Sequence, residues 1–172
     1  MTQHQDDKNF YKPLFARRSH ELSCWAIEDL QASLDRHGER WRVPYVASVT
    51  LLRSIGHVLK NIDCERDQAV KRAVDTCWPE WKKDEAFGRL EEFRNNALKE
   101  FGFPLGRITS FEENTPQDVL LFFEGTPVDA LEELQRIWRW WDLRLTEIER
   151  KSGRISDEGG FEACRAMGIM RF

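Results

Sequence analysis

The sequence predicts an all-α protein, a four- to five-helix up-and-down bundle with a short aromatic insert before the last long helix. Apolar residues recur three and four positions apart through most of the chain, and this spacing is that of one buried helix face. Proline and glycine stand near the ends of these stretches, where helices start and stop. The chain has 172 residues, of which 41% are hydrophobic, enough for one domain with a sizeable core.

The first two helices are predicted over residues 19–37 and 44–63. Gly38 follows the first of them as a stop signal. Pro44 suits the first turn of the second, where a missing backbone N–H costs nothing. The apolar set of the second helix is wide and extends to Ile62, so we expect this helix to be central.

Three further helices are predicted over residues 66–77, 81–101 and 128–151. Pro79 is expected to interrupt the helical pattern between the first two of these, because proline disrupts a helix interior. Thr126, followed by a proline, supplies an N-terminal cap for the last helix.

The bundle domain, residues 19–151, contains an unusual segment over residues 102–127. This segment is acidic and rich in phenylalanine, proline and glycine, and its stretches RITSF and VLLFFEG each fit a short strand. We interpret it as a β-hairpin or flap inserted in a helical body. Outside the domain, residues 1–18 are predicted to form a loose N-terminal arm and residues 152–172 a C-terminal tail.

Charge and composition exclude several classes of protein. The net charge of −4 gives no general attraction to nucleic acid, and no apolar run reaches the length of about 18 residues that spans a membrane. The four cysteines and four histidines do not stand at the spacing of metal ligands or of a redox pair, so we expect neither a metal site nor a cofactor. Free, mostly buried thiols and a polar N-terminus predict a cytoplasmic protein.

Arg94 lies between Leu90 and Leu98 in the fourth predicted helix, on or beside the face that should turn to the core. A buried guanidinium must be paired or fully hydrogen-bonded, and Glu91 or Glu124 is a candidate partner. Two interpretations stay open. The arginine belongs to a structural salt bridge or interface, or it lines a polar pocket for phosphate, whose oxygens match the guanidinium fork.

The pair Arg94 and Asn95, on a late helix that follows a long central helix, resembles the HEPN superfamily. Members typically carry an arginine, a polar residue and, after three or more spacers, a histidine on one helix. In active members this pair cleaves RNA, usually in a dimer whose two motifs meet at the interface. At the place expected for the histidine this chain has Lys99, Glu100 and Phe101. The resemblance therefore implies a homodimeric and catalytically degenerate member.

His57 is the candidate substitute for the absent family histidine. It follows Arg53 by four residues, so the two side chains share a helix face. Helix axes in a bundle approach to about 8–10 Å, which lets His57 reach Arg94 if the two face each other; a hydrogen-bonded structural histidine is the alternative. The catalytic candidates are Arg94, Asn95 and His57, and the binding candidates are Asn96, Lys99, Arg53 and Trp140.

The last predicted helix carries Trp138, Trp140 and Trp141. Trp138 and Trp141 share a face and are expected in the core, whereas Trp140 points roughly 200° away from Trp138. This position indicates either a wide buried arc or a surface for a partner, and the aromatic excess favours self-association. His20 and His37, near predicted helix ends among arginines, are interpreted as solvated or as complementing the helix dipole.

Three functional hypotheses follow. The first is a HEPN-like protein that acts by binding a nucleotide, an RNA or a protein partner in bacterial or phage defence or a stress system such as a toxin–antitoxin pair. The second is an active, metal-independent endoribonuclease in which Arg94 stabilises the phosphorane charge and Asn95 orients the phosphate. The third is a helical adaptor that dimerises through its Trp-rich helix. For each we expect a homodimer that does not enter a membrane.

Overall fold

The computed structural model of this chain describes residues 13–34, 39–99, 105–112, 115–123 and 129–155. Its elements are, in chain order, α1 (Phe15–Leu34), α2 (Arg42–Val58), a π-helical segment (Leu59–Asp63), α3 (Cys64–Arg66), α4 (Gln68–Trp81), α5 (Glu85–Lys99), β1 (Leu105–Glu112), β2 (Thr115–Phe123) and α6 (Ala130–Lys151). The prediction of an all-α bundle is confirmed, and each predicted helix lies within a few residues of its expected place.

The central helix is α2, which packs against α1, α5 and α6. α6 in turn contacts α1, α4 and α5, so these helices enclose one apolar core. The largest fully buried side chains of this core include Trp41, Trp141, Tyr45 and Phe93. Within the described residues, no helix combines the length and the apolar character needed to cross a membrane.

α1 begins at Phe15 rather than at residue 19. Leu14 and Ala16 are 2% and 0% exposed, so residues 13–18 belong to the bundle and not to a loose arm. The first turn is capped by Asp63, whose carboxylate accepts hydrogen bonds from the backbone N–H groups of Phe15 (2.8 Å) and Ala16 (3.0 Å). A cap supplied by a distant helix has no signature in the local sequence.

The end of α2 continues into the π-helical segment, where the N–H of Cys64 donates to the carbonyl oxygen of Leu59. A π turn contains one residue more than an α turn. This extra residue rotates Ile62 away from the buried face and Asp63 onto it. Ile62 is 36% exposed, and Asp63 is only 2% exposed. The prediction that Ile62 belongs to the core is therefore wrong.

α4 continues through Pro79 to Trp81, so the predicted interruption at Pro79 is also wrong. Asp67 caps the other end of this helix by accepting a hydrogen bond from the N–H of Ala69 at 2.8 Å. Pro79 deprives the carbonyl of Asp75 of its helical donor, but both residues are exposed, so this carbonyl is open to solvent. The additional turn leaves Trp81 only 3% exposed, and burial of an indole outweighs one solvated carbonyl.

β1 and β2 form the predicted hairpin. They pair antiparallel, with Leu105 opposite Phe123 and a shift in register between Ser110 and Phe111. The predicted tail is described as far as residue 155. Residues 1–12 and 156–172, which contain the rest of the predicted arm and tail, lie outside the described part of the chain.

α6 places its three tryptophans inside the bundle. Trp138, Trp140 and Trp141 are 9%, 8% and 1% exposed. Trp140 Nε1 donates to Asp84 Oδ2 at 2.8 Å. Of the two predicted arrangements, the structure shows the wide buried arc. The prediction that Trp140 is a binding residue is wrong, because its side chain is buried in the monomer. The cap of α6 is Asp129, whose side chain accepts a hydrogen bond from the backbone N–H of Leu131. The cap predicted at residue 126 lies outside the described residues.

His20 is buried, and the interpretation of it as solvated is wrong. It is 2% exposed and stacks on Trp138 with the ring centroids 4.5 Å apart. His20 Nε2 donates to the carbonyl oxygen of Trp138 at 3.1 Å, and Trp138 Nε1 donates to the carbonyl oxygen of His20 at 3.2 Å. Burial lowers the pKa of His20 to about 4, although the negative charge of Asp142 acts in the opposite direction. The side chain is therefore neutral near pH 7.

Candidate functional site

An open cleft of about 520 Å³ lies where α2 and the π-helical segment face the end of α4 and the first turns of α5. The described residues that line it are Arg53, Gly56, His57, Lys60, Asn61, Trp78, Lys82, Phe87 and Glu91. The first four follow the i, i+3, i+4, i+7 spacing of one helix face. The volume falls within the range of about 300–1,000 Å³ typical of ligand pockets.

The cleft is basic, although the chain carries a net charge of −4. Its described lining contains the cations Arg53, Lys60 and Lys82 and a single carboxylate, that of Glu91. The side chains of Lys60 and Lys82 are exposed to solvent. Because cations gathered in a concave surface produce a locally positive potential, the cleft attracts anions that the chain as a whole repels.

Glu91 joins two arginines from neighbouring helices. Its Oε1 lies 2.7 Å from Nε of Arg53 on α2, and its Oε2 lies 3.8 Å from Nη1 of Arg94 on α5. The prediction that Glu91 is a partner of Arg94 is confirmed. One carboxylate does not neutralise two guanidinium groups, so a positive charge remains beside the cleft.

Arg94 itself does not lie on the buried face of α5. Phe93 and Leu90 are 1% and 2% exposed, whereas the side chain of Arg94 is 39% exposed. Successive helix positions differ by about 100°, and of these two adjacent residues of α5 it is Phe93 that turns to the core. Arg94 is partly buried, as expected, but the lining of the described cleft does not include it. Arg94 is connected to the cleft through Glu91.

The remaining candidates on α5 are not brought into the cleft. Asn95 is half-buried, and its Oδ1 is buried without a hydrogen-bond partner among the described residues. It does not belong to the lining of the cleft. The backbones of Asn96 and Lys99 continue α5, but their side chains are not among those that the structure describes.

His57 and Arg53, which share a helix face as predicted, both line the cleft. The side-chain amide of Asn61 holds the imidazole: its Nδ2 lies 3.0 Å from His57 Nδ1 and 3.0 Å from the His57 carbonyl oxygen. Because the carbonyl oxygen accepts, Asn61 Nδ2 is the donor and Nδ1 accepts its second hydrogen. The ring proton of the neutral imidazole then lies on Nε2, which is left free to donate to a ligand.

Aromatic side chains form the apolar part of the cleft. Trp78 is half-buried, and Phe87 meets it edge to face with the ring centroids 5.8 Å apart. Gly56 allows the helix to approach these rings, since a Cβ atom there would lie 3.1 Å from the Trp78 ring and 3.1 Å from the Trp141 ring. Lys60 Nζ lies 4.9 Å from the centroid of the Trp78 ring, which is a cation–π contact.

The described residues contain no group of three or more His, Cys, Asp or Glu side chains that could hold a metal ion. Cys24, Cys64 and Cys77 are free and buried. Burial raises the pKa of Cys24 to about 11, so its thiol is protonated and a poor nucleophile at neutral pH.

A second polar cluster lies between α1 and α6, away from the lining of the cleft. The Arg17 guanidinium, 12% exposed, contacts Asp142 Oδ1 at 2.5 Å and Glu149 Oε2 at 2.7 Å. It also donates to the Thr146 hydroxyl at 2.7 Å. Burial lowers the pKa of Arg17, but the hydrogen bond and charge of Glu149 outweigh this effect and leave the pKa above its ordinary value. With these acceptors in place, the cluster joins the two helices.

Besides Asn61, which follows His57 by four residues, sequence reasoning missed four side chains of the cleft: Lys60, Trp78, Lys82 and Phe87. The spacing of Lys60 after Arg53 and His57 could have added it to the predicted face of α2. The other three come from α4, its following turn and α5, and no local pattern indicates that they meet that face. No family model, curated protein or solved structure matches the chain.

Proposed function

We propose that this chain is a HEPN-like helical protein that binds phosphate groups of a nucleotide or an RNA in the basic cleft and does not cut its ligand. The observation that carries the proposal is the gathering of Arg53, Lys60 and Lys82 beside an indole ring in an acidic chain. Guanidinium and ammonium groups donate charge-assisted hydrogen bonds to phosphate oxygens. The resemblance to the HEPN superfamily associates such binding with bacterial or phage defence or stress, for example a toxin–antitoxin pair.

Binding without cleavage is favoured by the arrangement of the family motif. The residues at the expected place of the catalytic histidine are Lys99, Glu100 and Phe101. Arg94, which by the resemblance corresponds to the family arginine, is more than one-third exposed and pairs with Glu91, but Arg94 itself does not line the cleft. A cleavage site needs a positioned base together with the arginine, and these residues do not supply that pair.

Fluorescence anisotropy with a labelled single-stranded oligoribonucleotide tests the proposal. We expect the double variant Lys60→Ala/Lys82→Ala to bind more weakly than the wild type. Its log–log salt dependence should also be shallower by about 1.4, since each phosphate contact on a single strand contributes about 0.7 to the slope. The matched control is Lys71→Ala/Arg72→Ala, which removes two exposed charges of α4 that do not line the cleft. Equal losses in both double variants would contradict a site in the cleft.

An active, metal-independent endoribonuclease is the second candidate, and the position of His57 in the cleft favours it. Asn61 fixes the position of the ring, but a general base needs an unprotonated Nε2, so cleavage would require the imidazole in its other tautomer. Incubation of the labelled RNA with the wild type and with His57→Ala separates the two candidates. Intact RNA with the wild type supports binding alone, whereas cleavage that His57→Ala abolishes establishes the nuclease and refutes the first proposal.

An adaptor that dimerises through the tryptophans of α6 has less support. The three indoles of that helix pack inside the monomer, so a dimer formed through α6 would have to use its other side chains. The homodimer remains a prediction from the resemblance, with the exposed surface around Arg94 as its expected interface.

A further inference from the structure

Trp78 differs from the tryptophans that serve only the core. Trp138 and Trp140 are buried and their indole N–H groups donate to acceptors in the protein. The buried Nε1 of Trp141 in the core has no hydrogen-bond partner among the described residues, and neither has that of Trp78. Trp78, however, is half-buried and lines the cleft. Its ring is therefore positioned by contacts with other rings, chiefly Phe87 and Trp81 at 5.8 Å between centroids.

The ring of Trp78 is contacted by the ammonium group of Lys60, 4.9 Å from its centroid. A cation–π contact at an exposed site is weaker than a hydrogen bond from a charged group to a phosphate oxygen. A phosphate that enters the cleft therefore draws the Lys60 ammonium away from the indole. This movement leaves the ring open to a planar group attached to the same phosphate.

We propose that Trp78 stacks on a nucleobase, so that the ligand of the cleft is a nucleoside phosphate unit and not a phosphorylated compound in general. Lys60 covers the indole in the free protein and binds the phosphate in the complex. This inference rests on the proposed function and deepens it by naming the part of the ligand that Trp78 recognises. Stacking tolerates any base, because every base has a π face, so a nucleoside phosphate can be bound without side chains that distinguish one base from another.

The test compares the affinity of each protein for an oligoribonucleotide and for an oligomer with the same sugar–phosphate backbone and no bases. We expect the wild type to bind the intact oligomer at least about tenfold more tightly, the lower part of the range measured for a stacked base. Trp78→Leu should lose this difference and bind the intact oligomer only as tightly as the oligomer without bases. Trp78→Phe, which keeps an aromatic face and most of the packing, should retain an intermediate ratio.

Trp25→Leu is the matched control. Trp25 is 54% exposed and has the Arg18 guanidinium 5.4 Å from its ring centroid, so it is also a tryptophan with a cation over its face, but it does not line the cleft. Its ratio should equal that of the wild type. A ratio of affinities on one preparation does not depend on the folded fraction, and Trp78→Phe decides the question if Trp78→Leu does not fold.

The outcomes separate this inference from the proposed function. Equal affinity of the wild type for both oligomers would overturn the stacking role and leave phosphate binding in place. Absence of binding to either oligomer would refute both. A parallel titration with adenosine monophosphate and with ribose 5-phosphate identifies the source of the unit: discrimination between these two supports a free nucleotide, and discrimination only between the oligomers supports a single-stranded RNA.

Discussion

His20 should make the stability of this protein fall as the pH is lowered from 7 to 5. Its pKa is lowered by burial from 6.5 to about 4 in the folded chain, and in the unfolded chain it returns to its ordinary value. Between these two values the unfolded chain binds a proton that the folded chain does not, so the free energy of unfolding rises with pH. At pH 5 the difference amounts to about 2 kcal/mol relative to pH 7.

Urea unfolding at the two pH values measures this effect, with His20→Gln as the reference. Glutamine does not titrate and still donates a hydrogen bond, so the variant keeps every pH-dependent contribution except that of His20. One of these contributions comes from Asp63, whose pKa is raised by burial. We expect the wild type to lose about 2 kcal/mol more than the variant between pH 7 and pH 5. Equal losses in the two proteins would refute the buried, neutral state of His20.

Three other measurements test the buried contacts and the predicted homodimer. Arg17→Met removes the guanidinium that contacts the buried carboxylate of Glu149 and should lower the free energy of unfolding by about 3–5 kcal/mol; a similar loss in Arg18→Met, where the side chain is 63% exposed, would contradict this. Gly56→Ala should destabilise by about 1–3 kcal/mol because its Cβ crowds two indole rings. Gly88→Ala, with nothing within 4 Å, should instead stabilise by up to about 1 kcal/mol, and a gain in both variants would refute the crowding. Light scattering at tens of micromolar should show the predicted homodimer, and a monomer would count against it.

Local periodicity was sufficient for the helices because burial of one face dominates their stability. Leu52 and Ile55 of α2, at three-residue spacing, are both fully buried, and the same rule located α6. The hairpin was also predictable, since its two apolar stretches and the turn residues between them lie close together in the sequence. In these cases each element carries its own signal.

The errors arise where a distant residue decides the local structure. Asp63 caps α1 from the end of the π-helical segment, and the sequence around Phe15 contains no sign of this cap. His20 was assigned to the solvent because its partner Trp138 is more than one hundred residues away. Arg94 was placed on or beside the buried face because periodicity alone does not separate two adjacent positions, and in the structure Phe93 takes the buried one.

The position of the cleft follows from the order of small and charged residues along α2 and the π-helical segment. Gly56 is the point at which the rings of Trp78 and Trp141 come closest to this helix. Arg53, His57 and Lys60 stand three residues before and one and four residues after this glycine, so the helix itself places them around the indole of Trp78. Of the two cations in this set, Arg53 and Lys60, Glu91 contacts Arg53 at 2.7 Å. The lysine beside the ring stays exposed and keeps its charge available for an anionic ligand, which is the property that a stacking site for a nucleoside phosphate requires.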